Sequence, residues 1–551
     1  MKRLFSIVLL CFTLHSFAQI IDSTDSENTL KKTINEVVIT GQLKGVSAEK
    51  SIHKIRIIDN KIINSGIYHN LADIIQQQLN ISLFEDNVLG SGISIQGISG
   101  QNVKILIDNI PVIGRLNGNI DLSQISLNNI ERIEIVEGPL STIYGTDALA
   151  GTINLISKKN NENIKQFNSL YETIGRYNFD AFISNNTPHH MSFNFGRKYF
   201  NGWSKNQHFH LLPTSQVADT NRVKKWKPKE QIFNKAVYRI ENENLTINNY
   251  FENFYEKVTN LGSPKEPYFE TAFDEYYHTY RTNIGSNLKF NNYNDKVNIL
   301  LAFNNYKRQK ETYYTDLTTL NKTLVDDVSA QDTSEFSLII GKMTISNSEN
   351  EKLKYQFGID LQKNTAKGKR ILNNYQEQNN YALFSFFEYM PIESISLRPS
   401  CRVIYNSNYA APLVPSLNLL YNAKDYKFRF SYAKGFRAPD FKELFLNFVD
   451  VNHNIIGNPL LEAEISENIQ INISGKHKIL NTKIKTDINV FHNFINNKID
   501  LAISGSNFDE YSYFNIDEQK TKGVSSIINF YYKKTNTKFG VSYIGRSNEL
   551  N

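Results

Sequence analysis

Few of the side chains that do covalent or metal chemistry occur in this chain of 551 residues, which has 11 His and 2 Cys. His189 and His190 are adjacent, and His208 and His210 lie two apart. An i, i+2 pair in an extended segment shares a face, which suits a shared metal ion. Both groups fall in segments that read as loops, where ordinary exposed histidines are the plainer account. His453 stands between Asp450 and Asn454. Its imidazole is either a metal ligand or a loop histidine hydrogen-bonded to those neighbours. Cys401 has no neighbour that would make it a nucleophile, and burial as a small apolar side chain is its expected state. No G-x-S-x-G elbow, H-E-x-x-H, C-x-x-C or P-loop is present, so the expectation is a protein that is not an enzyme.

The elements that carry these residues begin with an export signal. Met1-Lys2-Arg3 is basic, Leu4 to Phe17 is mostly apolar, and Ser16-Phe17-Ala18 places small residues before Gln19. That pattern predicts a cleaved secretory signal over residues 1–18, too short for a membrane span. A lipoprotein signal at Cys11 is the rival, but Leu10 stands where a small residue is needed. Cleavage removes Lys2, Arg3 and Cys11, so the excess of cations falls from six to four and Cys401 is left alone. A single cysteine excludes a disulfide framework. So small an excess of charge gives no case for a nucleic-acid partner. No later run is apolar enough for a spanning helix, so any membrane must be crossed by β-structure.

The aromatic content, 35 Phe and 30 Tyr, fits strands. From about residue 165 the chain becomes a series of alternating segments. Met191–Phe195, Lys427–Tyr432, Ile469–Ile473, Lys483–Val490 and Phe539–Tyr543 each set apolar side chains on one face and polar or charged ones on the other. A soluble sandwich or propeller also has period two. Three features favour an outer-membrane barrel over residues 165–551: the number of segments, the export signal, and full charges on the polar face. Trp203, Tyr276, Tyr277 and Tyr280 would either line its mouth or form an interfacial girdle. Before it, residues 46–160 read as a small α+β globule. A helix is expected over Asn70–Leu79, with strands over Gly92–Gly97, Val103–Asp108 and Ile130–Val136.

Arg132-Ile133-Glu134-Ile135-Val136-Glu137-Gly138-Pro139-Leu140-Ser141-Thr142-Ile143-Tyr144-Gly145, followed by Ala148 to Lys158 with Gly151, strongly resembles the plug of TonB-dependent outer-membrane receptors. This chain has Ala150-Gly151 where the family usually has two glycines, and Asn109 where it often has glycine. Asn tolerates the left-handed conformation. Phe436-Arg437-Ala438-Pro439 is similar to the family's FRAP box, and Gly457-Asn458-Pro459-Leu460 to its NPxL box. Glu36-Val37-Val38-Ile39-Thr40, in a polar leader over 19–45, resembles the TonB box in its Bacteroidetes-type form. Such a Val/Ile-rich segment can add as an edge strand to a partner's sheet. The alternative is a first strand of the plug.

The resemblance implies an all-β transmembrane barrel, 22-stranded in the family, with an N-terminal α+β plug. It implies the outer membrane of a Gram-negative bacterium, contact with its lipid, and TonB as energising partner. The implied cargo is a small-molecule metal chelate: a ferric siderophore first, with haem or cobalamin behind it and no permanently bound cofactor. A passive porin or surface adhesin is the remote rival. Haem receptors of the family tend to place an axial histidine between the two boxes, which would give His453 a role. Arg132 and Glu134 would hold the plug in the barrel, or lie on a solvated strand face. Residues 165–551 allow only roughly 17–18 residues per strand for about 22 strands. The barrel is therefore expected to be C-terminally incomplete, by several strands, in the sequence as given.

Overall fold

Alternation in the sequence becomes an inverted burial pattern in space. The computed structural model describes residues 37–549 apart from 44, 66–67, 87–89, 117–118, 139, 159–161, 187–188, 206–221, 293–294, 328–329, 348–349, 351, 451–452 and 505–509. The signal segment, Glu36, Pro139, His208 and His210 therefore lie outside the described residues. In the strand Glu464–Ile479, Ile469 and Ile471 are 44% and 46% exposed, whereas Gln470 and Asn472 are 5% and 1% exposed. Met191 and Phe193 are likewise exposed, while Asn194 next to Phe193 is buried. Phe539, Val541 and Tyr543 all face outward from the strand Thr535–Glu549. A soluble sandwich buries the opposite face. Apolar side chains outside and amides inside are the arrangement that lipid demands.

Among the described residues the wall is one sheet of twenty strands, running from Ile164–Glu172 to Thr535–Glu549. Long neighbours pair antiparallel in chain order, while Lys322–Leu324, Asn447–Asp450 and His453–Ile456 are short additions from the connecting loops. Among the described residues the first and last strands each pair on one side only. Connections at one end are short, as at 242–244, 393–394, 480–481 and 533–534, whereas 201–228, 317–331 and 438–463 at the other are long. Short turns face the periplasm in such barrels and long loops face outward, which orients the molecule.

Inside the wall sits the plug. Its central sheet runs in the order Ile55–Ile58, Ile130–Glu137, Gly151–Ser157, Val103–Ile107, Ile110–Pro111. Gly151–Ser157 and Val103–Ile107 are parallel; the other pairs are antiparallel. Ile58, Leu71, Ile74, Ile75, Ile105, Ile133, Ile135, Ile153 and Leu155 are buried together as its core. The helix begins where expected, capped by the Asn70 side chain, but ends at Ile75 rather than Leu79. Gln76-Gln77-Gln78 offers no apolar side chain to extend the buried stripe. Asp108 and Asn109, with φ of 51° and 69°, make the two-residue turn into Ile110–Pro111. Asn109 thus adopts the left-handed conformation anticipated for it.

At the outward end the two barrel boxes form one knot. Arg437, 1% exposed, donates to both oxygens of Glu443 (2.8 and 3.2 Å) and of Glu464 (2.8 and 2.7 Å). Lys498 adds a contact to Glu464 at 3.3 Å. The Asn458 amide donates to the Glu443 carbonyl at 2.8 Å, and its side chain to the Tyr513 carbonyl at 3.0 Å. Phe436 is fully buried beside Ala438, and exposed Pro459 sits in the adjoining turn. Both boxes are therefore structural, fastening the long 438–463 loop to the rim. Arg437→Met leaves two buried carboxylates with their strongest partner gone. It should lower the unfolding free energy by about 3–5 kcal/mol, read as a shifted urea midpoint in detergent.

Candidate functional site

Val37-Val38 forms a two-residue strand against Val46-Ser47, apart from the main plug sheet. Val38 is fully buried in a cluster with Ile55, Leu106, Val136 and Tyr144 of the plug and Phe386 of the wall. The three residues that follow are held by their main chain. The Glu134 carboxylate accepts from Ile39 N–H at 3.1 Å and Thr40 N–H at 2.7 Å, and from Arg132 Nε at 2.8 Å. The Tyr144 hydroxyl accepts from Gly41 N–H at 3.1 Å and donates to Asn109 Oδ1 at 2.8 Å. Burial pushes that hydroxyl well above the usual phenol range, so it stays a donor. Asn154 Nδ2 donates to Thr40 Oγ1 at 3.0 Å, and Arg398 of the wall donates to the Gly41 carbonyl at 2.6 Å. Arg398 lies just above the short turn at 393–394, so this clasp is at the periplasmic end.

Arg132 and Glu134 therefore neither bridge to the wall nor face solvent as a pair. Glu134 is fully buried because residues 38–41 cover its face of the strand. Glu137 takes Arg56 as an ion-pair partner and accepts from Asn80 at 2.9 Å and Gln96 at 3.2 Å. Gly138 and Gly145 have left-handed φ where the plug touches the wall. At Gly145 a Cβ would sit 3.0 Å from Arg402 Nη2, and at Gly151 it would sit 2.7 Å from the Val136 carbonyl. The contacts that do hold the plug come from other residues. Arg429 donates to the Ser51 and Glu49 carbonyls (3.1 and 3.0 Å), Lys342 to Ile143 (2.8 Å) and Arg281 to Ile113 (3.1 Å). Lys54 pairs with Asp487, and Gln124 donates to Glu256 at 2.8 Å. One apolar contact stands out, Ile110 against inward-facing Leu300, Ala302, Leu338 and Ile340.

On the outward side the plug and wall enclose a concave space of about 880 Å³ including its open mouth. Gln101, Lys104, Val112–Gly114 and Thr146–Asp147 form its floor, and Gln362, Asn364, Gln378, Asn380 and Pro439 part of its wall. His453 opens a short strand opposite Asp450, at a hairpin in the long loop; its imidazole lies outside what is described. His190 begins a strand at the periplasmic end, and His189 packs its ring 5.8 Å from Tyr238. Among the described residues no three His, Cys, Asp or Glu side chains converge as a metal site. The aromatics expected to act together are split. Tyr280 faces outward and Trp203 packs on Trp226, whereas Tyr277 shares parity with buried Arg281 and stacks under Arg308 at 4.9 Å. Cys401 is a free, partly buried thiol on the strand Ile395–Asn406.

An inverted β-wall around an α+β plug, with a leader clasped at the periplasmic rim, defines a plugged outer-membrane barrel. Residues 174–548 match the family model for the TonB dependent receptor-like β-barrel, and residues 47–152 match the TonB-dependent receptor plug domain. The chain belongs to the TonB-dependent receptor family. It is 20% identical to the vitamin B12 transporter BtuB of Photobacterium profundum over 459 residues, 81% of this chain and 68% of that protein. The fold is similar to the siderophore receptor PirA of Pseudomonas aeruginosa, with a TM-score of 0.68 at 15% identity over 90% of this chain and 85% of that one. It is also similar to the Serratia marcescens hemophore receptor HasR, with a TM-score of 0.70 at 11% identity, covering 90% and 82% of the two chains. Barrels of this family are outer-membrane proteins of Gram-negative bacteria.

Two outcomes follow from this geometry. Glu134→Ala removes the acceptor for one buried and one half-buried N–H group, so exchange at the Thr40 and Ile39 amides should accelerate at least about tenfold by hydrogen-exchange mass spectrometry. Beside the clasp, His53 is buried with Nε2 unpartnered. Burial first, then Arg398 and Arg429, push its imidazole down to about 3. The unfolded chain takes up that proton near pH 6.5 and the folded plug does not, so stability falls as pH drops from about 6.5 toward 3. The His53→Leu plug should lose less stability on acidification, by up to about 1.4 kcal/mol per pH unit in urea titrations between about pH 6 and pH 4.

Proposed function

We propose that this protein is an energised importer of the outer membrane, which captures a scarce metal chelate at its outer face and admits it when TonB draws on the leader. Ferric siderophores are the foremost cargo class, with haem and cobalamin behind them. Within the chain itself, the haem reading rests on His453. The relatives' names support this range: one is a vitamin B12 transporter, one a siderophore receptor and one a hemophore receptor.

The observation that carries the proposal is the grip on residues 39–41, made by hydrogen bonds to their backbone N–H and C=O groups. Such bonds are each modest in net strength and re-form on any strand that presents the same groups. A partner strand pairing with Glu36–Thr40 would exchange one set of backbone bonds for another and then transmit force to Glu134 and Tyr144. These two residues lie on the strand Ile130–Glu137 and the helical turn Ser141–Tyr144, both continuous with the cavity floor at Thr146–Asp147. Apart from the apolar seats of Ile110 and Val38, the named plug–wall contacts are polar and lumen-facing, so water can replace them as the plug shifts. No nucleotide site is needed on this chain, since the work is done by the partner.

A passive pore or adhesin has no use for such a clasp. Val38→Pro removes a backbone donor from the coupling strand. Energised uptake into cells should collapse while ligand binding to the purified receptor is retained. Uptake that persists at the unsubstituted rate defeats the importer reading.

A further inference from the structure

The outward cavity has a chemical bias that the fold does not require. Two neighbouring strands, Leu353–Gly368 and Tyr375–Ile392, set Gln362 opposite Asn380 and Asn364 opposite Gln378. All four side chains line the cavity, and alternation puts them on the lumen face in step with buried Asp360 and Ala382. The result is a two-by-two block of carboxamides. The lower pair is engaged within the wall: Gln362 Nε2 donates to Asp360 at 3.1 Å, and Asn380 Oδ1 accepts from Asn406 at 2.7 Å. Asn364 and Gln378 are half-buried and, among the described residues, make no side-chain hydrogen bond.

Charge in the cavity is already satisfied. Lys104 is the one described cation in the lining; it donates to the Thr146 carbonyl at 2.8 Å and lies 3.7 Å from Asp147. Asp440 accepts from Lys442 N–H in the capping box of the helical turn Phe441–Phe445. A polyanionic ligand entering here meets two carboxylates and one tied ammonium, which is unfavourable. A carboxamide offers a donor and an acceptor side by side and pairs with amides and hydroxyls.

Resting on the importer reading above, we infer that this cavity takes a metal complex with an uncharged exterior bearing amides or hydroxyls, contacted by Asn364 and Gln378, and disfavours a polyanionic ferric catecholate. A neutral ferric trihydroxamate and a corrinoid share that exterior. The test is calorimetric titration of the purified full chain with cyanocobalamin, with a neutral ferric trihydroxamate and with a ferric tris-catecholate. One of the neutral probes should bind, which identifies the source, with an affinity that changes by less than about twofold on adding salt. The double variant Asn364→Ala, Gln378→Ala should weaken it by roughly tenfold or more. The double variant Asn364→Lys, Gln378→Lys should gain affinity for the ferric catecholate, a gain that a misfolded barrel cannot show. Tight catecholate binding by the unsubstituted chain overturns the inference. So does a neutral ligand indifferent to both double variants, or silence of both neutral probes. A neutral ligand that binds as expected, yet is taken up despite Val38→Pro, leaves the cavity assignment standing and removes the importer reading instead.

Discussion

Hydrocarbon offers no partner to a backbone N–H or C=O, and the rest of this structure follows from that deficit. The wall must satisfy its main chain between strands, so it becomes a long antiparallel meander. Alternation then sends every second side chain outward to lipid and leaves the others to line an interior. Because the outward set is apolar, the inward set is free to be amides, cations and carboxylates. A polar interior accepts a polar plug without dehydrating it permanently. The gate is a by-product of how lipid forces the wall to be built.

Much of this was legible in the sequence because period two survives whichever face is buried. Ile469–Ile473 and Lys483–Val490 fell inside strands Glu464–Ile479 and Thr482–Ile503, and only the sense of the faces needed the membrane argument. Asn109 was legible too, since a left-handed turn position has few acceptable residues. The helix end was not, because Leu79 continues the apolar spacing while the three glutamines before it give no buried stripe. The partners of Glu134 were illegible for a different reason. Ile39 lies 95 residues away, and Arg398 lies 357 residues from the Gly41 it holds. Period and composition are local signals, and these contacts are made by topology.

The signature residues also divide by task in a way the motif alone conceals. Glu134 and Tyr144 hold the leader, and Glu137 ties together Arg56, Asn80 and Gln96 within the plug. Gly145 and Gly151 make room for neighbours that a Cβ would strike. In the wall, Arg437 and Asn458 are far apart in sequence from one another's box but join one knot around Glu443 and Glu464. One contiguous motif thus serves the clasp on the leader and the interior of the plug, whereas two separated motifs serve a single fastening.

Five cations of the wall grip the plug by its main chain. Arg281, Lys342, Arg398, Lys427 and Arg429 each donate to a plug carbonyl, and Arg281 and Arg398 reach the Gln124 and Gln42 side chains as well. Every residue type carries a carbonyl, so this half of the interface is blind to the identity of the residue it holds. Substitutions at the residues held this way can accumulate without loosening these bonds, whereas Lys54 and Gln124, held by their side chains, are fixed by them. The socket thus combines a grip indifferent to sequence with a few points that read it, and only at the former is the plug free to drift while the wall stays the same.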